Sequence, residues 1–374
     1  MKLTKSTWAV AGAALVLIAC GGGGDGDQAS RVTFSSMVTF GDSLSDLGTY
    51  KVGTVAALGG GKYTINSSTD KNWTELLAAQ LKVPALCPAQ KGLDGSAGQG
   101  FSVPVVSYSG CTSYAQGGAR VTNPVGPGNK LLGGDNAVLG QLTVPVVTQV
   151  ANHLTTTGGA FSGKELVTVM AGGNDGIIAA ETYVGTMQAI TIDSGAPAAA
   201  AASPSLIAAA NTSMTTAGTE LADLIKTQLV AKGAKYVLVV NLPNLGVTPY
   251  ATAEEAKVAG SRAIIANFSA AFNTALQAGL ANTPNVRIVD AYSIITDQVA
   301  NPVQYSLTNV SSPACNLTSP SPNALGSSLV CYASYSNSGD VSHYLFADSV
   351  HGTPYAYQLL AQLVAKDMAV VGWL

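Results

Sequence analysis

Short, almost wholly apolar runs alternate along the chain with longer segments of helical periodicity. Each short run is rich in β-branched residues, as expected for a strand that is covered on both faces. The predicted strands are Met37–Phe40, Leu166–Met170, Tyr236–Val240 and Val286–Val289. The predicted helices are Trp73–Leu81, Val144–Leu154, Leu206–Val230, Ala253–Ala278 and Pro354–Ala369. This order predicts an α/β fold, a three-layer α/β/α sandwich with a central, mostly parallel sheet.

Three long segments interrupt this pattern and are rich in Gly, Ser, Pro and Asn: Cys87–Gly134, Ile192–Ser205 and Ala300–Ser342. Long irregular segments in a compact domain are usually functional or disordered. The middle one contains the alanine-rich stretch Gly195–Pro204, which we expect to be an exposed insertion. The first and third contain the four cysteines that follow Cys20, and we expect them to be ordered loops that shape a pocket.

The N-terminus has the features of a targeting segment. Lys2 and Lys5 precede the apolar stretch Trp8–Ala19, which ends in Leu-Ile-Ala before Cys20. This pattern predicts a bacterial lipoprotein signal peptide over residues 1–19, cleaved before a lipidated Cys20, then a glycine-rich tether over 20–30 and one folded domain over 31–374. An ordinary secretory signal with a chance cysteine is the alternative. The expected location is the outer membrane, on its periplasmic or surface face, with a lipid anchor as the membrane contact.

Four cysteines follow Cys20, and an even number in an exported protein suggests disulfides. Four cysteines allow three connectivities. We predict Cys87–Cys111 and Cys315–Cys331, because each pair brackets a loop with little else to order it.

Composition excludes several classes of protein. Apolar residues make up 47% of the 374 residues, enough for a large core, so whole-chain disorder is excluded. With 18 Lys and Arg against 21 Asp and Glu, no basic excess favours binding to nucleic acid. No CxxC or HExxH motif indicates a metal site, and no phosphate-binding loop is present. Nothing in the sequence sets an oligomeric state.

One candidate for chemistry is Ser43, in the segment Gly41-Asp42-Ser43-Leu44 after the first predicted strand. A serine at that point lies at the carboxyl edge of the sheet, where open α/β folds place their ligands. The alternative is that Asp42 or Ser43 only caps a following helix.

A second candidate is the pair Asp348 and His351, just before the last predicted helix. Three residues of turn bring a carboxylate within reach of the imidazole, so that Asp348 can hold the tautomer with a free ring nitrogen. His351 is the only one of the three histidines with an acid at this spacing. A chance surface pair is the alternative.

Two further segments, Gln116-Gly117-Gly118-Ala119 and Gly172-Gly173-Asn174-Asp175, offer hydrogen-bond donors. An oxyanion requires preorganised N–H groups, which glycine backbone and an asparagine amide can supply. Each segment alone is equally typical of a tight turn.

Together the four segments, in this order, resemble the GDSL or SGNH family of serine esterases and lipases, over nearly the whole mature chain. The resemblance implies the family's flavodoxin-like SGNH hydrolase fold and no cofactor. It also implies a nucleophile at Ser43, a base at His351, its partner at Asp348, and an oxyanion hole of the Ser43 amide, the Gly118 amide and the Asn174 side chain. Either the Gly117 or the Gly118 amide satisfies the motif.

The function that this resemblance implies is hydrolysis of carboxylic esters, on lipid or short-chain acyl substrates, through an acyl-enzyme. Two alternatives remain: an acyltransferase with the same three catalytic residues, and a lipoprotein that only binds. All the catalytic positions of the motifs are filled, which argues against the second. No GxSxG motif supports the α/β-hydrolase fold.

Overall fold

A computed structural model describes residues 32–318 and 325–374. The predicted signal peptide, Cys20 and the tether lie outside the described residues. Four strands form the central sheet in the order β1-β4-β5-β6, and every neighbouring pair is parallel. They are β1 Ser36–Gly41, β4 Glu165–Met170, β5 Val237–Val240 and β6 Val286–Val289. The parallel sheet expected from the apolar runs is therefore confirmed.

The strands are mostly apolar because both faces of the sheet are covered. Along β1, Met37 packs into one core cluster, whereas Val38 and Phe40 pack into another on the opposite face. In β4, Leu166 and Met170 likewise belong to the first cluster, and Val167 and Val169 belong to the second. This alternation follows from the two-residue period of a strand.

Helices form the two outer layers of the sandwich. The face of the sheet that contains Met37 is covered by the helices of Trp73, Leu77 and Val364. The helices over 173–194, 196–224 and 261–280 cover the other face. The helices are α1 Gly53–Ala57, α2 Trp73–Gln80, α3 Gly134–Leu139, α4 Val146–Thr156, α5 Gly173–Ser194, α6 Ala196–Leu224, α7 Pro249–Lys257, α8 Ser261–Leu280, α9 Ala291–Ala300 and α10 Pro354–Val370. The predicted three-layer α/β/α architecture is confirmed.

The segment Gly195–Pro204, predicted to be an exposed insertion of irregular structure, is instead helical, although only Ala199 among its residues is buried. These residues begin α6, which runs from Ala196 and continues into a π-helical turn at Ile225–Val230. Alanine has the highest helix propensity, and Ala199 is buried against the rest of the core, so low complexity here means a helix with small side chains. Ser203 also lies 3.1 Å from the Tyr183 hydroxyl of α5.

Two other helical boundaries differ from the sequence pattern. The helix predicted over Ala253–Ala278 is two helices, α7 and α8, because Gly260 adopts a φ of +87° between them. The long helix α5 was not predicted, since its first turn contains Gly173 and Asn174, residues typical of turns. The helix starts there because Gly172 takes a left-handed conformation at its N-cap.

The first irregular segment contains a two-stranded antiparallel hairpin, β2 Gln90–Asp94 and β3 Ser102–Ser107. Both predicted disulfides are present: Cys87–Cys111 closes the base of this hairpin and Cys315–Cys331 closes a loop in the third segment. Two disulfides are typical of exported proteins. Over residues 32–318 and 325–374, no helix is both long and apolar enough to cross a bilayer.

Candidate active site

The carboxyl end of β1 is held by side chains from distant parts of the chain. Gly41 has a φ of +149°, and a Cβ atom there would lie 2.1 Å from the Met170 carbonyl oxygen, so the position requires glycine. The Gln149 amide accepts a hydrogen bond from the Gly41 N–H at 2.9 Å and donates one to its carbonyl at 2.8 Å. This pair of hydrogen bonds fixes the backbone that leads directly to Ser43.

Ser43, His351 and Asp348 form a hydrogen-bonded series. Ser43 Oγ lies 2.8 Å from His351 Nε2, and His351 Nδ1 lies 2.8 Å from Asp348 Oδ2. Because a carboxylate only accepts hydrogen bonds, His351 carries its proton on Nδ1 and Nε2 is free to accept the serine proton. Ser43 and His351 are 308 positions apart, so the sheet and the last helix bring them together.

The Asp348 carboxylate is buried and surrounded by donors. Its Oδ1 accepts from the amides of Val350 and His351, and its Oδ2 accepts from the amide and hydroxyl of Ser328. Burial alone would raise the pKa of Asp348, but electrostatic attraction to the His351 ring and these hydrogen bonds outweigh burial and hold the pKa well below its usual range. The carboxylate is therefore ionised at neutral pH.

The His351 ring packs on Tyr63, with ring centroids 4.6 Å apart. Tyr63 in turn donates a hydrogen bond to Gln141 at 2.9 Å, and burial raises its pKa, so the phenol stays neutral. This packing limits rotation of the imidazole and so helps to keep the ring in the orientation that Asp348 favours.

The two glycines of the glycine block differ in their partners. The Gly117 amide donates to Asp46 Oδ2 at 2.9 Å, whereas Gly118 forms part of the cavity wall beside Ser43. Gly118 has a φ of +76°, and a Cβ atom there would lie 2.2 Å from the Pro127 carbonyl oxygen. The Gly118 amide is therefore the better candidate for an oxyanion donor.

Asn174 lies in the first turn of α5 and also faces the cavity. Its amide Nδ2 donates to the Ala119 carbonyl at 2.8 Å, which links it to the glycine block. The next residue, Asp175, pairs with Arg120 Nε at 2.9 Å and accepts from the Val121 amide at 3.0 Å. These bonds link the start of α5, with Asn174, to the segment that follows Gly118, and so fix the two candidate oxyanion donors relative to each other.

Asp42, beside the candidate nucleophile, is fully buried. Its Oδ1 accepts from the Leu44 amide at 3.0 Å, and burial raises the pKa of Asp42 to about 7. Asp42 thus accepts a local backbone bond, as a capping residue does, and at the same time lies in the wall of the cavity.

A cavity of about 810 Å³ opens around these groups and contains Ser43, Gly118, Asn174 and His351 in its wall. Much of the remaining wall is apolar, including Ile177, Leu242, Leu245, Ile294, Phe346 and Leu360. A pocket with many apolar side chains and a few convergent polar groups is typical of a binding site for a partly apolar molecule.

The other two histidines lie elsewhere. His153 is buried in the last turn of α4 among the rings of Phe40, Tyr114 and Phe161. His343 contacts Ser342 and the ring of Tyr355. Among the described residues, no group of three or more His, Cys, Asp or Glu side chains is arranged to hold a metal ion.

Three supporting residues of the site were not predicted from the sequence: Gln149, Asp46 and Ser328. Each forms its hydrogen bond with a residue more than 15 positions away in the sequence, so its role cannot be recognised from the residues next to it. The burial of a polar side chain shows its importance only once the fold is known.

The site brings a hydroxyl, an imidazole and a carboxylate into series at the carboxyl edge of a parallel sheet, with amide donors beside them. This arrangement is typical of an α/β enzyme that catalyses acyl transfer. The family model described as GDSL-like Lipase/Acylhydrolase matches residues 37–364. The chain therefore belongs to this family of esterases, lipases and acylhydrolases. No curated protein matches the sequence.

Proposed function

We propose that this protein is a serine esterase that hydrolyses carboxylic esters through an acyl-enzyme on Ser43. The observation that carries the proposal is the 2.8 Å separation of Ser43 Oγ and His351 Nε2 inside a cavity that also contains Gly118 and Asn174. Ser43 Oγ attacks the ester carbonyl while its proton passes to Nε2, and the negative charge on the carbonyl oxygen is held by the amides of Ser43 and Gly118 and by Asn174. No metal or organic cofactor takes part in this mechanism.

In the second half of the first step, Nε2 returns that proton to the leaving alkoxide and an alcohol departs. Water then attacks the acyl-enzyme carbonyl and gives a proton to Nε2. The bond from the acyl carbon to Ser43 Oγ breaks, Nε2 passes its proton to Oγ, and the carboxylic acid leaves. Asp348 remains ionised throughout and stabilises the imidazolium. The apolar part of the cavity wall supports an acyl ester as the substrate.

The test compares hydrolysis of esters of graded acyl length by the wild type, by Ser43→Ala and by Ser45→Ala. Ser45 is the matched control, because its hydroxyl is buried two positions away and has no hydrogen-bond partner among the described residues. We expect turnover and fluorophosphonate labelling to be lost only in Ser43→Ala. Equal labelling of Ser43→Ala would reject Ser43 as the nucleophile. Transfer of the acyl group to added alcohol in preference to water would favour the acyltransferase.

We further propose that Cys20 carries a lipid anchor that holds the catalytic domain at the outer membrane. The support is the apolar stretch that ends at Cys20 and the glycine-rich segment after it. Cys20→Ser should move the protein from the membrane fraction to the soluble fraction of the cell. Unchanged membrane association of this variant would reject the anchor.

A further inference from the structure

Ser328 lies in a short 3-10 turn, Ser328–Val330, and is completely buried beside Asp348. Its amide donates to Asp348 Oδ2 at 3.0 Å, and its hydroxyl donates to the same oxygen. Asp348 Oδ2 is also the oxygen closer to His351 Nδ1. One serine thus supplies two donors to the carboxylate oxygen on which the imidazole depends.

We infer that Ser328 is a positioning residue, which orients the Asp348 carboxylate toward His351 through its hydroxyl. The inference rests on the proposed function. Without the hydroxyl, Oδ2 would keep only the backbone donor of Ser328, and rotation of the carboxylate about its last bond would meet less resistance. Hydrogen bonds to charged groups are the stronger ones in proteins, so the hydroxyl makes a large contribution to this orientation.

The turn that carries Ser328 is tied to the segment that carries Asp348. Cys331 forms a disulfide with Cys315, whose amide donates to the Ala347 carbonyl at 2.9 Å. On the other side, the Asn66 side chain donates to the carbonyls of Ser328 and Cys331 at 3.1 and 2.9 Å. The disulfide therefore links the Ser328 turn to the segment of Asp348, and Asn66 holds the same turn through its carbonyls.

Ser328 acts on the carboxylate and not on a substrate. The preceding residues Leu325, Gly326 and Ser327 form part of the cavity wall, but Ser328 is not among the described residues of that wall. A change at Ser328 should therefore alter kcat and leave KM nearly unchanged.

The other titratable groups around this pair stay in place when Ser328 changes. Asp42 acts electrostatically on His351, and Tyr63 and Tyr357 lie close enough to Asp348 to interact with its charge. Burial raises the pKa of both tyrosines, so they remain neutral. Loss of the Ser328 hydroxyl therefore changes the pairing of Asp348 with His351 without changing the ionisation of the two tyrosines.

The experiment compares Ser328→Ala with Ser336→Ala. Ser336 pairs with Cys315 in a backbone bridge, and its buried hydroxyl has no partner among the described residues. For Ser328→Ala we expect kcat to fall about tenfold or more, with KM nearly unchanged. Ser336→Ala should retain the wild-type kcat and KM. Ser328→Cys, whose thiol is a weaker donor, is made in parallel in case the alanine variant does not fold.

The NMR resonance of the His351 Nδ1 proton provides a measurement that needs no substrate. It should shift in Ser328→Ala and not in Ser336→Ala. Wild-type kcat/KM and an unshifted resonance in the folded Ser328 variants would overturn the inference, as would an equal loss in Ser336→Ala. If the wild type hydrolyses no ester but the resonance shifts as expected, the proposed function fails and the positioning role of Ser328 stands.

Discussion

The amide of Gly117 donates a 2.9 Å hydrogen bond to the buried carboxylate of Asp46. Asp46 also accepts from the amides of Gly48 and Thr49, so the loop after Ser43 and the glycine block share one acceptor. This bond directs the Gly117 amide away from the cavity and leaves the next amide, that of Gly118, at its wall. Of the two glycines that fit the motif, Gly118 is therefore the one that we propose as an oxyanion donor.

Gly118→Ala should lower kcat sharply. An alanine at a φ of +76° is strained, and its Cβ would lie 2.2 Å from the Pro127 carbonyl, so the backbone must shift and move the amide. Gly110→Ala is the matched control, since a Cβ there meets no atom within 4 Å. Steady-state kinetics of both variants provide the measurement. A Gly118→Ala protein with wild-type kcat would contradict the role of this amide.

Asn174→Ala should lower kcat by about 10²- to 10³-fold, the usual cost of one oxyanion donor, with a smaller effect on KM. The side chain is buried and its Nδ2 bonds the Ala119 carbonyl at 2.8 Å, so some loss of stability is also expected. Asn152→Ala, on the exposed side of α4, serves as the control. Single-turnover kinetics separate chemistry from binding, and an unchanged acylation rate would exclude Asn174 as a donor.

Asp42→Asn should stabilise the protein in a pH-dependent manner. Burial raises the pKa of Asp42 to about 7 in the folded state, whereas an unfolded aspartate titrates near 4. Below about pH 4, Asp42 therefore does not reduce the free energy of unfolding. This free energy falls as the pH rises from about 4 to 7, because Asp42 ionises first in the unfolded state. The free energy of unfolding of Asp42→Asn should exceed that of the wild type by up to about 4 kcal/mol above pH 7.

Urea unfolding at pH 4 and pH 8 measures this difference, with Asp94→Asn as a control on an exposed aspartate. The same difference at both pH values would show that the pKa of Asp42 is not raised by burial. Asparagine keeps an oxygen that can accept the Leu44 amide, so the local bond is retained.

His153 should make the protein less stable in mild acid. Burial among aromatic rings lowers the pKa of His153 below its usual value of about 6.5, and its Nδ1 has no hydrogen-bond partner among the described residues. The stability that depends on neutral His153 is present above pH 6.5 and is lost as the pH falls from there through the lower folded pKa. His153→Phe removes this titration.

The free energy of unfolding, measured between pH 8 and pH 5, should therefore fall less steeply in His153→Phe than in the wild type. Any constant offset between the two curves reports the packing of the larger ring and does not affect the comparison. Parallel curves would mean that protonation of His153 does not oppose folding.

The secondary structure was predictable where one local rule applied. The apolar runs predicted all four strands of the parallel sheet to within one residue at each end, because a strand with two covered faces is apolar at most positions. The helix α5 was missed because its start depends on the left-handed conformation of Gly172, in a segment whose composition is also typical of a turn. The segment Gly195–Pro204 forms a helix despite its low complexity, because alanine has the highest helix propensity.

The residues of the candidate site likewise fall into those that the sequence indicated and those that only the tertiary structure revealed. The sequence by itself determined which residue types stand after β1, after β4 and before α10, and so it indicated Ser43, Asn174, Asp348 and His351. Only the tertiary structure decided that Ser43 and His351, 308 positions apart, lie 2.8 Å from each other. It also decided that Asp46 engages Gly117 and that Ser328 bonds Asp348. The physical reason is that motifs record what the local backbone requires, whereas the partner of a buried polar group is chosen by whichever distant segment the packing brings beside it.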